Sequence, residues 1–245
     1  MAVVAYEQRR IRTIRSTWII LVVTLALAAA IAALTAGLAN IDPVSGQRGA
    51  PVPMRDVLAA VSNPIVLIPV SVLAAMAFGG EYRFGLIRQT LTAFPRRTRV
   101  FLAKMWVASL WMLAILVLAA LVIVAVAFGF RSNLIFEPLT VENLGIVGRS
   151  LLFGIGYCLY AFALVVITRN QALSIVILIV WTLLVESLLT GFLAGRWEWL
   201  PQALPMSAGS RFVAGEDLLL SAAVFFGLLV ALLLIAWAVF TRRDA

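Results

Sequence analysis

Glu81, Tyr82, Arg83, Gly85 and Arg88 lie close together between two long apolar runs, and Pro95, Arg96, Arg97, Arg99 and Lys104 follow them. A carboxylate, a phenol and two guanidiniums can make charge-assisted hydrogen bonds. At about 100° per residue, Phe84, Ile87, Leu91 and Phe94 share one stripe of a helix and Glu81, Gly85, Arg88 and Thr92 share another. The first stripe can hold to an apolar body while the second meets a soluble partner. Pro95 ends the helix because it cannot donate to the preceding turn. Arg96, Arg97, Arg99 and Lys104 are then expected to anchor the chain at the inner leaflet of a membrane.

The residues needed for bond-breaking chemistry are missing or scattered. The sequence has no histidine, a single cysteine (Cys158), and four aspartates, Asp42, Asp56, Asp217 and Asp244, spread over loops and the tail. Intramembrane hydrolases and transferases use His-based dyads, metal-binding His or clustered acids, so an intramembrane enzyme is disfavoured. No metal site is expected. A passive channel or a structural membrane subunit needs no diagnostic site, and composition leaves both open.

The elements that must position the basic loop are membrane helices. Of the 245 residues, 64% are hydrophobic and 12% charged, and the mean hydropathy is +1.09. Runs of about 20 apolar residues, enough to cross a hydrocarbon core, occur near 18–39, 61–79, 105–128, 146–167, 172–194 and 218–240. They are continuous in Leu, Ala, Val and Ile where barrel strands would alternate. The fold class is therefore all-α integral membrane, six transmembrane helices in one membrane domain over 18–245. The first apolar run is too long for a cleavable signal peptide.

Residues 1–17 read as an N-terminal amphipathic helix lying in the membrane interface, with Val4, Ile11, Ile14 and Trp18 on one stripe and arginines around the rest. An even number of spans puts both termini on one side. If that side is cytoplasmic, inner segments hold thirteen of the 19 Lys and Arg residues and outer segments six, and the positive-inside rule selects this orientation at a cell membrane. The same placement accounts for the net charge of +8 without nucleic acid, since the cations sit in short loops beside anionic lipid.

Three further features carry expectations. Pro64 and Pro69 in the second span predict a kink. Trp197, Trp199, Pro201 and Pro205 predict short helical pieces resting in the outer interface. Glu186 is the one acid inside a predicted span and needs a partner or a role. Arg149 lies at a depth within roughly 6 Å of it, counting residues from the turn at Arg169 and Asn170 at 1.5 Å per residue. We expect the two to form an intramembrane ion pair that holds the hairpin or gates the exit, with solvation of Glu186 in outer water as the alternative.

The run Glu-Tyr-Arg-x-Gly, then Ile-Arg, Leu-Thr-x-x-Pro-Arg-Arg and Ala-Lys, resembles the loop of the type-2 permease family of ATP-binding-cassette (ABC) exporters. The six-span layout behind an N-terminal interfacial helix is similar to that family over the whole chain, and Leu-Pro-Met-Ser-Ala-Gly at 204–209 is a weaker likeness. The resemblance implies a cytoplasmic coupling loop at 80–104. Its helix, 80–95, would sit in a groove of an ATP-binding subunit through Glu81, Tyr82, Arg83, Gly85 and Arg88. Leu86 stands where relatives often carry Thr.

The resemblance also implies a transporter subunit and not an enzyme: half of the path of an exporter of a drug, lipid or peptide. Two permease chains, identical or related, would work with two soluble ATPase subunits. With no Gly-x-x-x-x-Gly-Lys-Ser/Thr loop in the sequence, ATP and Mg are expected in the partner, and no cofactor in this chain.

Overall fold

The computed structural model of the chain describes residues 2–38, 52–130, 132, 134–135, 140–193, 196–197 and 199–242. Helix α1 (Ala2–Thr13) carries Glu7 and three arginines, whereas α2 (Arg15–Leu38) has no charge beyond Arg15. The helical run is interrupted at Ile14, where the composition changes from polar to apolar. Trp18 Nε1 donates to the Arg12 carbonyl at 3.1 Å across that corner.

Helix α3 (Met54–Leu58) passes through a 3-10 turn, Ala59–Ser62, into α4 (Pro64–Arg83). Asn63 caps α4 by accepting from Ile65 N at 2.9 Å. Pro64 takes the first helical position, where its missing N–H would have had no partner. The kink expected from the two prolines thus takes the form of a break at Asn63, ahead of Pro64, and Pro69 lies within α4.

The chain continues through α5 (Ile87–Ala93), α6 (Arg97–Gly129), α7 (Val141–Thr168) and α8 (Gln171–Val180). A π-helical turn at Trp181–Val185 leads into α9 (Glu186–Leu193), followed by α10 (Leu200–Ala203), α11 (Pro205–Ala214) and α12 (Leu218–Arg242). Val52–Pro53 and Leu134–Ile135 form a two-residue parallel pair. Among the described residues, six stretches are long and apolar enough to cross a membrane: Arg15–Gly37, Met54–Arg83, Arg97–Gly129, Val141–Thr168, Gln171–Phe192 and Leu218–Arg242. They match the six expected runs in order. The loop 40–51 and the cations Arg131 and Arg243 lie outside the described residues.

Helices α4 and α7 form the centre. In the most apolar part of their spans 56% and 61% of residues are buried, against 17% for the α8–α9 span and for α12. The last two therefore present apolar side chains, such as Val176, Leu184, Leu188 and Leu234, to lipid or to another chain. Toward the end that carries the basic loop, Phe78 of α4, Phe101 of α6, Phe162 of α7 and Phe240 of α12 pack ring on ring, with centroids 5.1–6.2 Å apart. One ring from each of four helices fixes their relative positions where the loop leaves the bundle.

Candidate functional site

Helix α4 ends beneath the basic loop in a buried group of four charges. Glu81, 2% exposed, accepts through Oε1 from Lys104 Nζ of α6 at 2.7 Å and from an Arg10 guanidinium nitrogen of α1 at 2.8 Å. Lys104, 1% exposed, also donates to Glu7 Oε1 at 2.6 Å and to the Ala77 carbonyl at 3.2 Å. Arg10 reaches Glu7 Oε2 at 3.4 Å and the Ala77 carbonyl at 3.2 Å. Lys104 Nζ lies 5.3 Å from the Phe78 ring centre.

Two acids and two bases balance, and both cations sit by carbonyls in the last turns of α4, where the helix dipole favours positive charge. Gly80 leaves room for Arg10, whose guanidinium would lie 3.4 Å from a Cβ at that position. The cluster joins α1, α4 and α6, and a bond from Trp111 Nε1 to Gln8 Oε1 at 3.2 Å adds a second tie between α1 and α6. Glu81 Oε2 is buried without a hydrogen-bond partner, so the network is incomplete at one atom.

The loop itself differs from the single helix expected over 80–95. Leu86 N donates to the Glu81 carbonyl at 2.9 Å and Gly85 N to the Tyr82 carbonyl at 3.4 Å, with Gly85 at φ +67°. These two bonds around a left-handed residue are the Schellman arrangement that closes helix C-termini. The spacing from Glu81 to Gly85 is the spacing of that cap, which gives the Glu-Tyr-Arg-x-Gly run a backbone meaning. No atom lies within 4 Å of a Cβ placed on Gly85, so the glycine is required by its dihedral and not by space.

After the turn, α5 buries Ile87 and Thr90, half-buries Leu91, and leaves Arg88 and Thr92 exposed. Phe84, expected on the anchoring stripe, is instead 69% exposed, and Leu86 is exposed beside it. Glu81 and Arg88, expected on one stripe, are separated: Glu81 faces inward and Arg88 outward. Lys104, expected as a leaflet anchor, is inside the cluster, whereas Arg96 and Arg99 are exposed. Arg97 donates to the Thr241 carbonyl in the last turn of α12 at 3.3 Å.

Sequence reasoning missed Glu7 and Arg10, and a signal was present. An apolar helix that contains the chain's one lysine needs an acid opposite it, and the N-terminal helix supplies one at Glu7. Among the described residues no three acidic or cysteine side chains are grouped to hold a metal ion.

The model of the family described as ABC-2 family transporter protein matches residues 5–185. The chain belongs to the ABC-2 transporter family. No curated protein matches it in sequence. Membership, with six apolar helices, makes it a multi-pass membrane subunit of an ABC transporter. The matched stretch contains all four charges of the cluster and the whole loop, and it ends one residue before Glu186.

At the opposite end of this ABC-2 chain the expected pair of Arg149 and Glu186 is not formed. Glu186, 3% exposed, accepts from Trp181 Nε1 at 2.7 Å, Met206 N at 3.0 Å, Ser207 N at 2.8 Å and Ser207 Oγ at 3.0 Å. Two of these donors are first-turn amides of α11, which lack acceptors within their own helix. Four donors fill the lone-pair sites of the carboxylate, so it needs no arginine. Arg149 Nε donates to the Val213 carbonyl, in the last turn of α11, at 3.0 Å.

Helix α11 is also more than an interfacial piece. Met206, Ala208, Gly209 and Val213 are buried, and Gly209 lies so close to Phe153 of α7 that a Cβ there would overlap the ring. Trp197 and Trp199, by contrast, are exposed and stack with centroids 6.3 Å apart.

Proposed function

We propose that this chain is the permease subunit of an ATP-driven exporter, moved by a separate ATP-binding subunit that docks on the turn between α4 and α5. The observation that supports this reading is the division of the turn into two sides. Ile87 and Thr90 face the bundle, while Phe84, Leu86 and Arg88 face outward. An apolar pair beside a guanidinium is the composition of a protein contact.

Behind that surface, Glu81 ties the end of α4 to α1 and α6. A push on the turn would then move three helices as rigid elements, the kind of transmission that domain closure uses. Glu81 acts in this scheme as a positioning residue, with Tyr82 half-buried beside it and Gly85 shaping the turn. ATP and Mg are held by the partner. The lightly buried α8–α9 and α12 surfaces are available for a second permease chain, identical or related, giving two permeases and two ATPases around one path. Both termini lie in the cytoplasm at the cell membrane, and the cargo is a drug, lipid or peptide.

The test is co-purification of the cognate ATPase from membranes. Arg88→Glu combined with Phe84→Ala is expected to lose the ATPase while the permease keeps its unfolding temperature, because both side chains are exposed. A variant complex recovered at full stoichiometry would overturn the docking surface. Conductance through the purified chain without nucleotide would overturn the pump.

A further inference from the structure

A cavity of about 530 Å³ opens at the basic end of the bundle, between the end of α4 and the turn joining α7 to α8. Gly79, Arg83, Arg169, Asn170, Gln171 and Ala172 line it, with Ile175 deeper along α8. Its shape follows from two local features. Gly79 lets α8 approach α4 so closely that a Cβ there would lie 2.6 Å from the Gln171 side chain. Arg169 takes the left-handed conformation, φ 55°, which closes α7 and turns its side chain toward α4, 5.9 Å from the Tyr82 ring.

Two arginines from separate elements thus flank one opening. Among the described residues Arg83 makes no ion pair with a carboxylate; its guanidinium lies 5.5 Å from the Phe84 ring. The acid closest in sequence, Glu81, is turned away into the buried cluster. Gln171 and Ala172 begin α8, so their amides add donors that have no helical acceptor. Below the polar rim Ile175 and the exposed Val176 continue an apolar surface along α8.

We propose that this cavity binds the phosphate group of an anionic amphiphile, a phospholipid of the inner leaflet, with the phosphate between Arg83 and Arg169 and the acyl chains along α8. Guanidiniums bind phosphate through paired hydrogen bonds, and basic pockets between membrane helices on the cytoplasmic side are known receptors for lipid head groups. The inner-leaflet placement rests on the orientation given under the proposed function. The binding itself does not.

The full chain, purified in detergent without ATPase or nucleotide, is titrated with dihexanoyl phosphatidic acid, dihexanoyl phosphatidylcholine and glycerol phosphate, and bound ligand is counted by native mass spectrometry. Phosphatidic acid is expected to saturate at one per chain and to bind at least about tenfold tighter than the other two, a difference of about 1.4 kcal/mol. Arg83→Gln and Arg169→Asn, the latter suited to the left-handed backbone, should each weaken it about tenfold or more. Arg83→Lys should weaken it less than Arg83→Gln does, since the charge remains while the paired hydrogen bonds are lost.

Equal binding of phosphatidylcholine, or unchanged phosphatidic acid binding in both neutral variants, would overturn the site. Glycerol phosphate binding as tightly as phosphatidic acid would overturn the lipid as its occupant. Because no ATPase is present, failure here leaves the docking reading standing, and loss of docking leaves this result standing.

Discussion

Glu186 and Arg149 hold opposite ends of one helix without touching each other. The carboxylate receives the amides of Met206 and Ser207 at the start of α11, and the guanidinium meets the Val213 carbonyl near its end. Negative charge at the N-terminus and positive charge at the C-terminus both match the helix dipole. Six to seven positions of α11 separate the capped amides from the capped carbonyl, about 10 Å at 1.5 Å per residue.

Glu186→Gln is accordingly expected to lower stability by about 1–3 kcal/mol, because buried amides lose a charged acceptor, and Arg149→Gln by about 1 kcal/mol. Residues this far apart with no shared atom contribute nearly additively, within about 0.5 kcal/mol. Unfolding of the two single variants and the double variant in detergent measures this. A double variant more stable than either single would require a direct pair.

For the charge cluster the expectation is the reverse, strong coupling. Lys104→Met leaves two buried carboxylates facing Arg10 alone and should cost about 3–5 kcal/mol. Lys104→Met with Glu81→Gln restores neutrality through Glu7 and Arg10, and should recover more than half of that loss. Glu81 Oε2 already lacks a donor, so removing this carboxylate forfeits less than a complete network would. The same unfolding measurement, run as a double-mutant cycle, checks it.

Gly85→Ala should destabilise by about 1–2 kcal/mol through its left-handed backbone alone, and Gly85→Asn by less. Because no neighbour crowds the position, the ranking should follow the conformational preference and ignore side-chain size. ATP-driven transport in vesicles is expected to fall in the same order, since the turn aims α5.

Cys158 is fully buried in α7, out of reach of a reagent in solution, and structural buried cysteines are inert. A maleimide probe should leave the native chain unlabelled and modify it completely after denaturation. Rapid labelling of native protein would mean that α7 is not the central helix.

The six spans were readable because each is a long run of Leu, Ala, Val and Ile, and the family likeness was readable in Glu81 to Arg88. Which way Glu81 and Lys104 face was not. Helix α6 is apolar on every side, so its sequence carries no stripe to show which surface meets α1 and α4. Phe84 and Ile87 fall at helical spacing, so the sequence predicts one helix for the loop; the Schellman turn at Gly85 interrupts that period. Glu186 looked as though it needed an arginine because its real partners, Met206 N and Ser207 N, are backbone groups that no side-chain pattern announces.

The cluster at Glu7 also constrains how the chain is made. Glu7 and Lys104 are 97 positions apart, and at roughly 5–20 residues per second of synthesis the N-terminal helix waits about 5–20 seconds before its lysine exists. During that interval the first two spans can enter the bilayer, and Glu81 at the end of the second gives Arg10 a partner before Lys104 is made. Completion of the cluster is therefore a late event in biogenesis, because Glu7 gains its lysine only when the third span arrives.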